Sequence, residues 1–209
     1  MKKLLVSAFL LFSAVTIFAQ ENQESNEKSI WNSFDAGAYI VNGYAAGPLA
    51  DYITGTLGMG IAVDYKTPLP FLGVRGTFDV EGGFVKSSDI DSLCNVSLGG
   101  GAWAEFPYEV GGATLSVRPE FDYGLIFEFI SSSKSNVKSS YVDQFFELAC
   151  AVRYAPAKLQ DLGLNFEAAP FFKFCPQDEN VANYIGIRLG CFYDGKHISR
   201  LFKKQKNNA

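Results

Sequence analysis

Large apolar residues and charges alternate strictly between Ser116 and Phe129. Val117, Phe121, Tyr123, Leu125, Phe127 and Phe129 share one side of a period-2 pattern, and Arg118, Glu120, Asp122 and Glu128 share the other. Such alternation predicts a β-strand with one apolar and one polar face, because successive side chains point oppositely. The pattern recurs in eight segments: Phe34–Tyr44, Leu57–Tyr65, Leu72–Phe84, Leu93–Phe106, Leu115–Phe129, Tyr141–Tyr154, Leu164–Phe174 and Tyr184–Tyr193. These runs exceed the roughly 5–6 residues usual in soluble strands. They match the roughly 9–11 residues that a tilted strand needs to cross a bilayer.

The connections alternate as well. TPLPF (Thr67–Phe71), PYEVGG (Pro107–Gly112) and APAKLQDLG (Ala155–Gly163) are Pro-bearing and make compact turns. AGPLADYITGT, KSSDIDS, SSSKSNVKSS and PQDENVA are more polar. One end of the molecule is thus expected to carry turns and the other loops, in an antiparallel up-and-down order.

The two faces differ sharply in chemistry. One collects residues such as Ile40, Met59, Ile61, Phe78, Leu98, Leu148, Phe172 and Leu189, and no charge falls on it in any strand. The other collects Asp64, Arg75, Asp79, Glu81, Glu105, Arg118, Glu120, Asp122, Glu128, Glu147, Arg153, Glu167, Lys173 and Arg188, with Asp35 and Asp143. Two all-β barrels fit this division. In a soluble periplasmic barrel of the lipocalin kind, the apolar face lines a ligand cavity. In an antiparallel, up-and-down, eight-stranded transmembrane β-barrel, the apolar face meets lipid and the charges form a network in the lumen.

Three features favour the membrane barrel. Glycines such as Gly37, Gly60, Gly73, Gly99, Gly124 and Gly186 fall on the charged face, where a narrow lumen needs small residues beside large ones. Aromatics on the apolar face gather at strand ends. Phe34, Tyr65, Phe106, Tyr154 and Tyr193 lie at the turn end, and Tyr44, Phe84, Phe129 and Phe174 at the loop end. Two aromatic girdles at two membrane interfaces produce that placement. Strand length is the third feature. Against them stand Pro119 and Pro170, in mid-strand on the apolar face, each of which is expected to mark a bulge or a broken ladder.

Composition narrows the picture. The chain has 209 residues, a net charge of −4, 15% aromatics and 20 glycines, as suits one aromatic-rich β domain rather than a nucleic-acid partner, which needs a basic footprint. Residues 1–19, MKKLLVSAFLLFSAVTIFA, read as a cleaved signal peptide. Residues 20–32 read as a polar linker, 33–194 as the barrel and 195–209 as a basic periplasmic tail. Cys94, Cys150, Cys175 and Cys191 match no zinc spacing and are expected to be free thiols, buried or lipid-facing.

On these grounds the chain resembles the small eight-stranded outer-membrane proteins of Gram-negative-type bacteria, the class of the OmpA transmembrane domain and of OmpX-like and OmpW-like proteins. The resemblance covers Ser33 to Tyr193 and rests on architecture. It implies outer-membrane lipid as the surroundings and the barrel-assembly machinery as a partner in biogenesis. That machinery would read YIGIRLGCFY (Tyr184–Tyr193) as the closing strand, although here the tail DGKHISRLFKKQKNNA follows it. Some barrels of the class are lipid-modifying enzymes that use Ser and His near the rim. The single His, His197, lies beyond the last strand and is expected to be an exposed residue. The expected role is therefore non-catalytic, without cofactor or metal: a monomeric structural or adhesin-like barrel, with an extracellular ligand held by its loops. A narrow OmpW-like channel is the alternative. Acids outnumber bases on the charged face, so some carboxylates are expected to be protonated or water-bridged.

Overall fold

The computed structural model describes residues 33–69, 71–132, 137–176, 183–195 and 197. The signal peptide, the polar linker, most of the basic tail and the centres of two loops lie outside these residues. The strands are β1 (Phe34–Ala46), β2 (Ile53–Lys66), β3 (Leu72–Val85), β4 (Ser92–Ala104), β5 (Phe106–Val110), β6 (Ala113–Ser132), β7 (Val137–Ala155), β8 (Leu164–Phe174) and β9 (Asn183–Asp194). All neighbours pair antiparallel, β9 pairs with β1, and β4 and β5 both pair with β6. The result is a closed barrel. β4 and β5 are two pieces of one wall strand, so the wall has eight.

That break corrects the continuous strand expected over Leu93–Phe106, and Pro119 is its cause. β4 and β5 run in the same register along β6, from Trp103↔Glu120 to Phe106↔Val117, and the two missing pairs are Ala104 with Pro119 and Glu105 with Arg118. A proline cannot donate to the ladder. The Glu105 N–H faces β3 and continues the β3–β4 register to the Phe71 carbonyl, 2.9 Å away. Pro170 acts likewise: the β7–β8 ladder skips from Ala149↔Phe171 to Val152↔Ala168 without a register shift. Both prolines therefore break the ladder and neither creates a bulge. The β6–β7 hairpin is also longer than expected, because Ser131, Ser132 and Val137–Ser140 pair as strand rather than loop.

The register fixes the tilt. Paired residues lead from Ala45 through Tyr184, Lys173, Glu147, Asp122, Gly101, Arg75 and Asp64 back to β1 at Asp35, ten residues from the start. A shear of that size over eight strands inclines them by roughly 40°. Closure leaves no free edge through the body of the wall, which is what a strand-built structure requires in lipid; β5, paired with β6 alone, keeps one open edge at the turn end.

The faces sort as the alternation demands, with the apolar face outward. Met59 is 70% exposed, and Ile40, Ile61, Leu98, Leu148 and Ile185 are also exposed. The charged face is inside, where Arg118, Asp64 and Glu128 are fully buried. This orientation overturns the lipocalin-like alternative, whose cavity would have been apolar. Glycine makes room for inward rings. A Cβ on Gly73 would overlap Trp103, one on Gly60 would meet Tyr39, and one on Gly99 or Gly124 would meet Phe145. Gly111 and Gly112, with φ of 60° and 82°, form the two-residue β5–β6 turn, where left-handed backbone suits the hairpin twist.

Candidate functional site: the barrel interior and its turn-end mouth

The row of paired residues that circles the barrel once carries Lys173, Glu147, Asp122, Arg75, Asp64 and Asp35, all pointing inward. One spiral of the ladder thus places charges from six strands along a continuous path. Rows on its turn-end side add Arg118, Glu120, Arg153, Glu167 and Arg188.

Toward the turn end, three arginines surround one aspartate. Arg75 donates from Nε to Asp64 Oδ1 at 2.7 Å, from Nη1 to Glu120 Oε2 at 2.7 Å and from Nη2 to Glu167 Oε2 at 3.0 Å. Arg118 Nη1 reaches Asp64 Oδ2 at 3.0 Å, and Arg153 Nη2 reaches the same oxygen at 2.7 Å. Arg153 also binds Asp35 at 3.0 Å and Glu167 at 2.9 Å. Asp64 therefore neutralises parts of three guanidinium groups. The arginines also lie over rings: Arg118 over Trp103 at 4.0 Å and Arg153 over Phe192 at 4.5 Å. Stacking of this kind adds attraction where water is excluded.

In mid-barrel, Arg188 bridges Glu120 at 2.6 Å and Glu147 at 2.8 Å, with Asp122 at 3.7 Å. Lys173 lies between Glu81 at 3.6 Å and Glu147 at 3.5 Å. Tyr39 donates to Asp79, and Thr56 to Glu81. Toward the loop end, Asn95 donates to the Tyr184 hydroxyl at 2.9 Å, which donates to Glu128 at 3.0 Å. Here the interior becomes apolar, with Ile53, Leu93, Ile126 and Phe145 buried together. Those apolar residues, with Phe171 and Phe192, were not legible as lumen residues. They interrupt the charged face, and only the neighbouring inward glycines hinted at large partners.

Of the charges expected in the lumen network, thirteen are buried inside the barrel. Glu105 is the exception. It sits half-buried at the turn-end mouth, accepts a hydrogen bond from the Ser116 hydroxyl at 2.6 Å, and has no cation beside it among the described residues. The break opposite Pro119 sets it apart from the lattice. The expected girdle residues Phe34, Tyr44, Tyr65, Phe84, Phe106, Phe129, Tyr154, Phe174 and Tyr193 all lie outside the wall, exposed or half-exposed.

The turn-end mouth holds a cavity of about 330 Å³ lined by Asp35, Lys66, Glu105, Ser116, Arg153 and Asp194, with Thr114, Gln160 and Asn165 at its sides. Lys66 pairs with Asp35 at 2.9 Å. The Asp194 N–H binds the Gly163 carbonyl at 2.8 Å, and the His197 ring meets Tyr193 edge-on at 6.2 Å. His197 is therefore half-buried against the β7–β8 turn rather than exposed. All four cysteines are free: Cys150 and Cys191 point outward, Cys94 is half-buried and Cys175 is buried.

This is the architecture of the small eight-stranded outer-membrane barrels, a polar interior within an apolar belt. Among solved structures, the chain is similar to Neisserial surface protein A, NspA, with a TM-score of 0.57 and 13% identity over 78% of this chain and 97% of that one. It is also similar to Ail, the attachment invasion locus protein of Yersinia pestis, with a TM-score of 0.53 and 14% identity over 77% of this chain and 96% of that one. At such identities the likeness is one of fold. No family model matches the chain, and no curated protein matches it by sequence.

Proposed function

We propose that this protein is an integral outer-membrane β-barrel, exported by a cleaved signal peptide, with a charged and largely filled interior and a structural or surface-interaction role. The observation that carries the reading is the pairing of an exposed apolar belt with a buried ion-pair lattice. In water that belt would be an extreme exposed apolar surface. In lipid it is matched to its surroundings, and the lattice satisfies charges that would otherwise be costly. The chain is a monomer in outer-membrane lipid, placed there by the barrel-assembly machinery, and it is not an enzyme. The similar structures bear the names of a surface protein and an attachment protein. On the same scaffold, the loop end of this chain is the part that would hold an extracellular ligand. Fractionation of the host followed by electrophoresis with and without boiling tests the placement. A membrane-bound band whose mobility changes on boiling is expected, and a soluble periplasmic band would refute it. Replacing the loops by short turns should abolish surface binding, and unchanged binding would refute the adhesin-like role.

A narrow channel is the second reading, favoured by one observation. Along the β4–β6 wall, Ser97 Oγ, Trp103 Nε1, Arg118 Nε and Nη2, Glu120 Oε1 and both Asp122 oxygens are buried without a hydrogen-bond partner among the described residues. Buried polar atoms of this kind are commonly satisfied by water, and a file of water is the minimum a small conducting path needs. Single-channel recording after reconstitution decides between the two: large, steady conductance would overturn the filled interior.

A further inference from the structure

We propose that the turn-end mouth is a binding site for an ammonium group carried on a short polar chain, with Glu105 as its counter-ion. The cavity is about 330 Å³, at the lower end of the range for small-ligand sites. Its floor charges are already matched, because Asp35 takes both Lys66 at 2.9 Å and Arg153 at 3.0 Å. Glu105 also lines the cavity and is not matched. Arg118, its opposite number across the break, is turned to Asp64 instead. The Ser116 hydroxyl holds one Glu105 oxygen at 2.6 Å, so the carboxylate is oriented before any ligand arrives. A half-buried carboxylate with no cation beside it among the described residues is only partly compensated, and an arriving cation supplies the missing charge. The side walls, Thr114, Gln160 and Asn165, are polar, with the Thr114 hydroxyl turned to Glu109 and the Gln160 amide to the Gly112 carbonyl, and Ala155 adds only a small apolar surface, which suits a polar stem better than a lipid chain.

A lysine-type ammonium can come from two sources: a separate amine-bearing molecule, or Lys203, Lys204 and Lys206 of this chain, which follow His197 in the sequence. The probe is acetyl-lysine methylamide, titrated into the full chain in micelles while the backbone amides of Ser116, Gln160 and Asn165 are followed by NMR. Acetyl-norleucine methylamide is the uncharged control. If the ligand is external, the lysine probe gives saturable shifts at the mouth. Glu105→Gln weakens them at least tenfold, Ser116→Ala weakens them less, and Asp89→Asn in the exposed β3–β4 loop at the opposite end leaves them unchanged. If the tail is the occupant, the wild-type chain gives no shift, whereas the full-length chain with R200Q, K203Q, K204Q and K206Q binds the probe through Glu105. Absence of shifts in both backgrounds would overturn the proposal, as would shifts that survive Glu105→Gln in a variant whose boiling-dependent mobility shows it folded.

Discussion

Replacing Arg75 by methionine removes the most connected cation of the interior while roughly preserving its volume. Arg75 is 4% exposed and contacts three carboxylates, with two hydrogen bonds to Asp64 at 2.7 and 3.2 Å, one to Glu120 at 2.7 Å and two to Glu167 at 3.0 and 3.2 Å. Arg118 and Arg153 still reach Asp64, Arg153 still reaches Glu167, and Arg188 still reaches Glu120. No cation replaces the lost charge itself. Breaking a buried ion pair by removing one partner typically costs about 3–5 kcal/mol, because the other charge stays buried. With three carboxylates affected and each retaining a second partner, a loss of about 4 kcal/mol is expected. At a urea slope of roughly 1–3 kcal/mol per molar, that lowers the unfolding midpoint by about 1–4 M. The assay is urea unfolding in lipid vesicles, followed by Trp fluorescence and by the boiling-dependent gel shift. Arg75→Met with Glu120→Gln should recover part of the loss, since the double change removes one stranded charge. A loss below about 1 kcal/mol in the single variant would refute the argument: the interior would then be wet enough to screen its charges like a surface.

Three further outcomes are expected. Ile61→Arg, in the middle of the outward face of β2, should destabilise the bilayer-embedded protein by about 2–4 kcal/mol, measured by the same unfolding assay; little change would argue against lipid contact there. Gly73→Ala forces a Cβ into the Trp103 ring and should cost about 1–3 kcal/mol as overpacking, whereas Gly76→Ala, which meets nothing within 4 Å, should be neutral or stabilising by up to about 1 kcal/mol; equal effects would contradict the packing described. In intact vesicles, Cys150 and Cys191 should resist a charged maleimide and react with a lipophilic one, which mass spectrometry reads directly, and rapid labelling of both by the charged reagent would place them in water.

Much of the architecture is written locally. Period-2 alternation depends only on the opposition of neighbouring side chains, so the eight wall segments and both faces could be read from residues such as Val117, Arg118, Phe121 and Asp122 without any tertiary information. Turn and loop composition supplied the up-and-down order. Alternation is symmetric as to which face is inside, but the glycines on the charged face and the aromatics at the strand ends already favoured an inward charged face, and Met59 and Arg118 lie on the expected sides of the wall. Two matters depended on the closed structure. The partners of each charge depend on the ten-residue shear, which brings Asp64 of β2 within reach of Arg153 of β7, 89 positions away. Glu105 looked like its neighbours on the charged face and was separated from them by Pro119, a residue on a different strand that removes one N–H from the ladder beside it. Local periodicity determines what each strand presents; register and closure, set by hydrogen bonds between distant segments, decide what it meets.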